Sequence, residues 1–169
     1  YITTTCCHGF WPGIQAWGTT SQHQYGSPIP TYQALVILKN GAVIEHAREA
    51  IQTMNPDNWN MIGGVVQVQG TPSQVGGTFL NCRRAVSYVK YQNFNPYNAT
   101  QPRSNRSYFN YCDFIVDDDY RGVDDFYAHV SMWYVDGINF RACNFRNEQT
   151  GITESSKLGQ GIISIDAKY

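Results

Sequence analysis

At 169 residues the chain can form one domain with a real core, and its net charge of −1 excludes recognition of a polyanion by bulk charge. Charged residues make up only 15% while aromatic residues reach 14%, against a background rich in Asn, Gln, Thr, Ser, Gly and Tyr. That composition fits a β-rich, non-cytosolic surface protein and excludes a heptad-built helical rod. No basic-then-apolar leader and no apolar run of about 18 residues is present, so the chain is expected to be mature or excised, without membrane insertion.

In chain order, residues 1–33 read as an irregular first coil. They contain the adjacent Cys6 and Cys7, a short strand around Ile14 that ends at Gly18, and a polar loop closed by Pro28 and Pro30. Residues 34–38, Ala-Leu-Val-Ile-Leu, are a strand, and Lys39-Asn40-Gly41 is a turn. Strand, Asn-Gly and strand usually spell a hairpin. Here the second strand is too short and another apolar pair, Ala50-Ile51, follows at once, so the turn is expected to be the corner of a coil. After a polar loop over 52–60, the next coil opens at Gly63-Gly64 and runs through 77–82 and 85–89, and residues 91–106 form a surface excursion. Phe-x-x-Cys-x-Phe then occurs twice, around Cys112 and Cys143, and the close at 161–165 reads as the first strand of a further coil.

A spacing organises these pieces. Ile44, His46, Ala50 and Ile51 return as Phe79, Asn81, Ala85 and Val86 at a distance of 35 residues, and again as Phe145, Asn147, Gly151 and Ile152, with Phe114 between. Such a period belongs to solenoids. Stacked coils place like residues above like, which predicts an apolar column of Ile44, Phe79, Phe114 and Phe145 and a hydrogen-bonded ladder of His46, Asn81 and Asn147, broken at Val116. The prediction is all-β: a right-handed, single-stranded parallel β-helix of about five coils, one segment over 1–169, incomplete at both ends and continued by other parts of a longer protein or surface assembly. The five cysteines are an odd number; Cys82, Cys112 and Cys143 fall inside coils as small core residues.

Trp11-x-Gly13-Ile14-x-x-x-Gly18, then Val36-x-Leu38-x-Asn40-Gly41-Ala42-x-Ile44-Glu45, and Phe140-x-x-Cys143-x-Phe145-x-Asn147 resemble the right-handed parallel β-helix of the pectate-lyase-like superfamily. More narrowly they are similar to β-helix segments of large secreted surface proteins of gliding, type IX-secreting bacteria. The resemblance runs from around residue 11 to the end and implies an extracellular, cell-surface location. It is specific for fold and weak for activity, since the superfamily includes lyases, hydrolases and adhesins.

The sharpest chemical feature is the acid group Asp117, Asp118, Asp119, Asp124 and Asp125, a candidate Ca²⁺ site. Among lyases of the superfamily such a calcium acidifies a uronate beside a basic residue, and Arg121 is close in sequence. Hydrolases of the superfamily use paired aspartates, but no Asn-Thr-Asp, Gly-His-Gly or Arg-Ile-Lys element accompanies Asp124-Asp125. No catalytic residue is therefore assigned. Trp11, Trp17, Trp59 and Trp133 could give stacking platforms for sugar rings, and of these Trp11, Trp17 and Trp133 are the candidate carbohydrate contacts. Asn98-Ala-Thr and Asn105-Arg-Ser fit the glycosylation acceptor pattern. The expected function is a structural or adhesive module that contacts polysaccharide, not nucleic acid; the alternative is a polysaccharide lyase or glycoside hydrolase.

Overall fold

A computed structural model describes residues 9–26 and 32–167; Cys6, Cys7, Pro28 and Pro30 lie outside the described residues. The first strands are β1 (Ile14–Gln15), β2 (Leu35–Lys39), β3 (Ala42–Glu45) and β4 (Ile51–Gln52). A hairpin of β5 (Met54–Asn55) and β6 (Asn58–Ile62) follows, then β7 (Val65–Gln69), β8 (Gly77–Leu80) and β9 (Val86–Val89). A second hairpin, β10 (Phe94–Asn95) and β11 (Asn98–Pro102), precedes β12 (Tyr108–Asn110), β13 (Cys112–Val116) and β14 (Ala128–Trp133). The chain ends through β15 (Asn139–Arg141), β16 (Asn144–Asn147), a 3₁₀ turn at Ser155–Lys157 and β17 (Gln160–Ile165). No helix among the described residues is long and apolar enough to cross a membrane.

Three sheets carry the architecture, in the orders β2-β7-β12-β15, β3-β8-β13-β16 and β1-β4-β9-β14-β17, all paired in parallel. The chain visits the sheets in rotation, so each visit adds one strand to each sheet, an arrangement compatible with a β-helix. Four such visits follow β1. The rotation needs sharp corners, which the sequence supplies with left-handed residues: Asn40 (φ 58°) and Gly41 (φ 71°) separate β2 from β3, and Tyr111 (φ 50°) and Ala142 (φ 51°) do so in later visits. Because β2 and β3 lie in different sheets, Asn-Gly here is a corner and not a hairpin turn.

The sheets enclose one core. Ile44, Phe79, Phe114 and Phe145 stand in register on neighbouring strands, as the spacing predicts. Stacking is tight: Phe79 and Phe114 lie 5.2 Å apart at 12°, Phe114 and Phe145 4.6 Å apart at 4°. A second column runs Leu38, Val68, Phe109 and Phe140, and a third Ile51, Val86, Val130 and Ile162. Burying one such side chain contributes roughly 1.5–3 kcal/mol, so these columns are the main source of stability.

Three expectations change and one position is filled in. The fourth-visit partner of Ala50-Ile51 is Gly161-Ile162, not Gly151-Ile152, because the corner after β16 is lengthened by the segment holding the 3₁₀ turn. Hence 160–165 is the last strand of a visit and not the first of a new coil. The third-visit partner is His129-Val130, so an imidazole stands where Ala50, Ala85 and Gly161 stand. Finally, the loop 52–60 and the excursion 91–106 each hold an antiparallel hairpin.

Those two hairpins are copies of each other. Met54-Asn-Pro-Asp-Asn-Trp-Asn60 and Phe94-Asn-Pro-Tyr-Asn-Ala-Thr100 share Asn-Pro-x-Asn. In each, the first Asn side chain accepts the amide two residues on (Asp57 or Tyr97, 2.9 Å in both), and the second Asn does the same for Asn60 (3.1 Å) or Thr100 (3.2 Å). Pro at the second turn position and Asx hydrogen bonds preset the bend.

Candidate functional site

The five aspartates do not form one site. Asp117 pairs with Asn81 of the previous visit: Asn81 Nδ2 donates to Asp117 Oδ1 at 2.7 Å, and Asp117 N–H donates to Asn81 Oδ1 at 2.9 Å. Asp118 receives the hydroxyl (2.7 Å) and amide (2.8 Å) of Thr150, and these bonds, the hydroxyl's first, hold its carboxyl below the usual range. Asp124 lies 3.6 Å from Arg83, while Asp119 and Asp125 are exposed. Among the described residues no three His, Cys, Asp or Glu side chains gather as a metal set, so these aspartates do not fit Ca²⁺, which needs six to eight converging oxygens.

Of the predicted ladder of His46, Asn81 and Asn147 no side-chain rung links two members; one rung forms, between Asn81 and Asp117. His46 (φ 51°) and Asn81 (φ 52°) both bend the chain after the second sheet, and their backbone amides bond to the next strand. The column is broken at Val116, which stands in register with Asn147 and is fully buried, while Asp117 beside it meets Asn81. Asn147, expected in the ladder, turns instead to the Leu158 carbonyl at 2.8 Å. His46 is buried 3.6 Å from Glu45, and its Nδ1 has no hydrogen-bond partner among the described residues. Burial, then the charge of Arg121, lowers its pKa against the opposing pull of Glu45, Asp119 and Asp117.

Of the candidate tryptophans, Trp11 is structural: it packs on the core, bridges to Ala47 and donates its indole N–H to the Glu45 carbonyl at 2.8 Å. Trp17 is half-buried and its indole nitrogen is enclosed without a partner. Trp133 is the exception. It is 41% exposed, and the 52% exposed Trp59 meets it edge to face, centroids 6.1 Å apart at 83°. Hairpin β5–β6 springs from β4 yet reaches β14, two strands across the sheet. Neighbouring strands place Val89 and the exposed Ile165 beside Trp133, and Ser87 beside Ser131, two residues before it and so on the same face. A polar cluster adjoins them: Glu49 accepts Arg84 Nη1 and the Ser87 hydroxyl, both at 2.8 Å, and the Arg84 guanidinium lies 4.9 Å from the centre of the Tyr127 ring.

Trp59 stands out in the sequence as one of four tryptophans, but nothing there pairs it with Trp133, since the repeat that carries it is offset from the 35-residue spacing. Its twin hairpin, with Ala99 in the matching place, is the clue that could have marked it. The chain matches no family model, no curated protein and no solved structure.

Proposed function

We propose that the chain is a right-handed β-helix segment of a secreted cell-surface protein, pectate-lyase-like in fold and akin to surface proteins of type IX-secreting bacteria. Its role is structural and adhesive, with polysaccharide contacted on the outer face of the five-stranded sheet. The observation that carries this is the Trp59–Trp133 pair, two large exposed rings brought together on the outside of the sheet, where neither contributes to the core columns. Aromatic rings with polar neighbours are suited to ligands that present both an apolar face and hydroxyls.

The lyase and hydrolase readings lose support from the same geometry. Acid–base cleavage needs two carboxylates converging on one bond, or a cation and a base. Here Asp117, Asp118 and Asp124 are engaged by Asn81, Thr150 and Arg83 in turn. The test is affinity electrophoresis of the chain through gels containing a panel of soluble polysaccharides, with reducing-end assays alongside. Retardation by at least one polymer without new reducing ends is expected. Cleavage of any polymer, or free migration through all of them, rejects the proposal.

A further inference from the structure

We infer, resting on the polysaccharide reading above, that the ligand is an uncharged polysaccharide held in the notch between Trp59 and Trp133. The two indoles come from positions far apart in the chain and stand at 83° to each other, so they form two walls of a notch instead of one flat platform. A pyranose lying on one indole with its C–H face has its edge against the other, burying apolar surface on two sides.

The polar surroundings set the charge preference. Along the outer face beside the notch, Gln52, Ser87 and Ser131 stand in register on three neighbouring strands, all uncharged; Ser87 is buried with its hydroxyl held by Glu49, so Gln52 and Ser131 are the partly exposed members of the row. Ser131 sits about 7 Å from Trp133 along the strand, within one sugar unit of the stacked ring. The ionic groups bordering that row cancel, because Arg84 and Glu49 pair at 2.8 Å. Three further charged residues stand near in register or sequence: Lys90, whose backbone amide bonds to the Trp133 carbonyl at 2.7 Å, Asp166, which follows Ile165 beside Trp133, and Asp57 in the hairpin turn. A polyuronate would need a surplus of cations here, and the described residues of this face supply none.

The hairpin acts as the arm that delivers Trp59. Its fold does not depend on the indole, since the twin hairpin closes with the same hydrogen bonds around Ala99. Trp59→Ala is therefore a substitution the local fold already accommodates elsewhere in the chain.

The experiment is affinity electrophoresis of the full chain in gels of neutral polymers (glucomannan, xyloglucan, dextran) and acidic ones (polygalacturonate, alginate), with and without about 0.5 M NaCl, where charge contacts are screened. The expected result is salt-insensitive retardation by a neutral polymer. Trp59→Ala and Trp133→Ala should each weaken it by about tenfold, with circular dichroism unchanged, and Lys90→Gln should leave it intact. Salt-sensitive binding to acidic polymers alone, lost in Lys90→Gln, overturns this inference and leaves the polysaccharide reading standing. Neutral binding indifferent to both tryptophan variants overturns the notch as its site. No binding to any polymer overturns both.

Discussion

Asn81 and Asp117 hold each other across neighbouring visits of the chain through two hydrogen bonds, one side chain to side chain and one side chain to backbone. Asn81 is 1% exposed and sits at φ 52°, so a single residue both turns the corner and fastens it to the next. Asn81→Gly keeps the backbone turn and loses the bonds, whereas Asn81→Ala loses both. The expected order of stability in urea unfolding is wild type above Gly above Ala, with Ala down by about 2–4 kcal/mol. If Gly proves the worse of the two, the left-handed corner is not what Asn81 serves.

A pH dependence follows from His129. It occupies a column of Ala50, Ala85 and Gly161, is 3% exposed, and is packed among Phe114, Phe126 and Phe145 with Nε2 3.2 Å from the Arg146 carbonyl. Burial drives its pKa down from 6.5 to about 4, against the smaller raising effect of the Arg146 carbonyl. The native state thus resists a proton that the unfolded chain accepts. Stability from this group is complete above pH 6.5 and is lost as pH falls through the window between 6.5 and about 4. The loss amounts to roughly a few kcal/mol, and His46, lowered in the same direction, adds to it. Unfolding midpoints between pH 7 and pH 4 should fall in the wild type and fall distinctly less in His129→Ala; parallel profiles would refute the assignment.

The aromatic column predicts a gradient. Phe114 is fully buried between Phe79 and Phe145, whereas Phe145 is only half-buried. Phe114→Ala should cost about 3–5 kcal/mol, and Phe145→Ala clearly less, because less surface and fewer partners are lost. Denaturant midpoints check the order, and equal losses would mean that Phe145 is as enclosed as Phe114.

The parts of this architecture legible in the sequence are those where the corner keeps a constant length. From Ile44 to Phe79 to Phe114 the spacing is regular, so the column can be read directly, and Asn40-Gly41 marks a corner by its backbone demands alone. The reading slips where a corner is lengthened. Counting on from Phe145 lands on Gly151-Ile152, while the strand that joins the third column begins only after Leu158. The break at Val116 was legible because an apolar residue stands at the ladder position; that Asp117, one residue later, takes up the bond to Asn81 was not. The acid group looked like a site because its members are close in sequence, but within the one corner between β13 and β14 hydrogen bonds turn Asp117 to Asn81 of the previous visit and Asp118 to Thr150 of the next. Trp59 and Trp133 are both conspicuous in the sequence; that they meet is not legible, because Trp59 arrives on a hairpin whose repeat does not follow the main spacing.

The equivalence of the two hairpins can be tested by exchange. Replacing residues 55–60, Asn-Pro-Asp-Asn-Trp-Asn, with Asn-Pro-Tyr-Asn-Ala-Thr from 95–100 keeps both Asx hydrogen bonds and the proline, and so keeps the determinants of the turn. What is lost is the ring contact with Trp133, a term of about 0.5–1.5 kcal/mol. The chimera should therefore unfold cooperatively, within about 2 kcal/mol of the wild type. Its remaining tryptophan fluorescence should change because Trp133 gains solvent where Trp59 lay. A chimera that fails to fold would show that the segment is shaped by its neighbours and not by Asn-Pro-x-Asn. Unchanged Trp133 fluorescence would mean instead that the two indoles do not meet in solution.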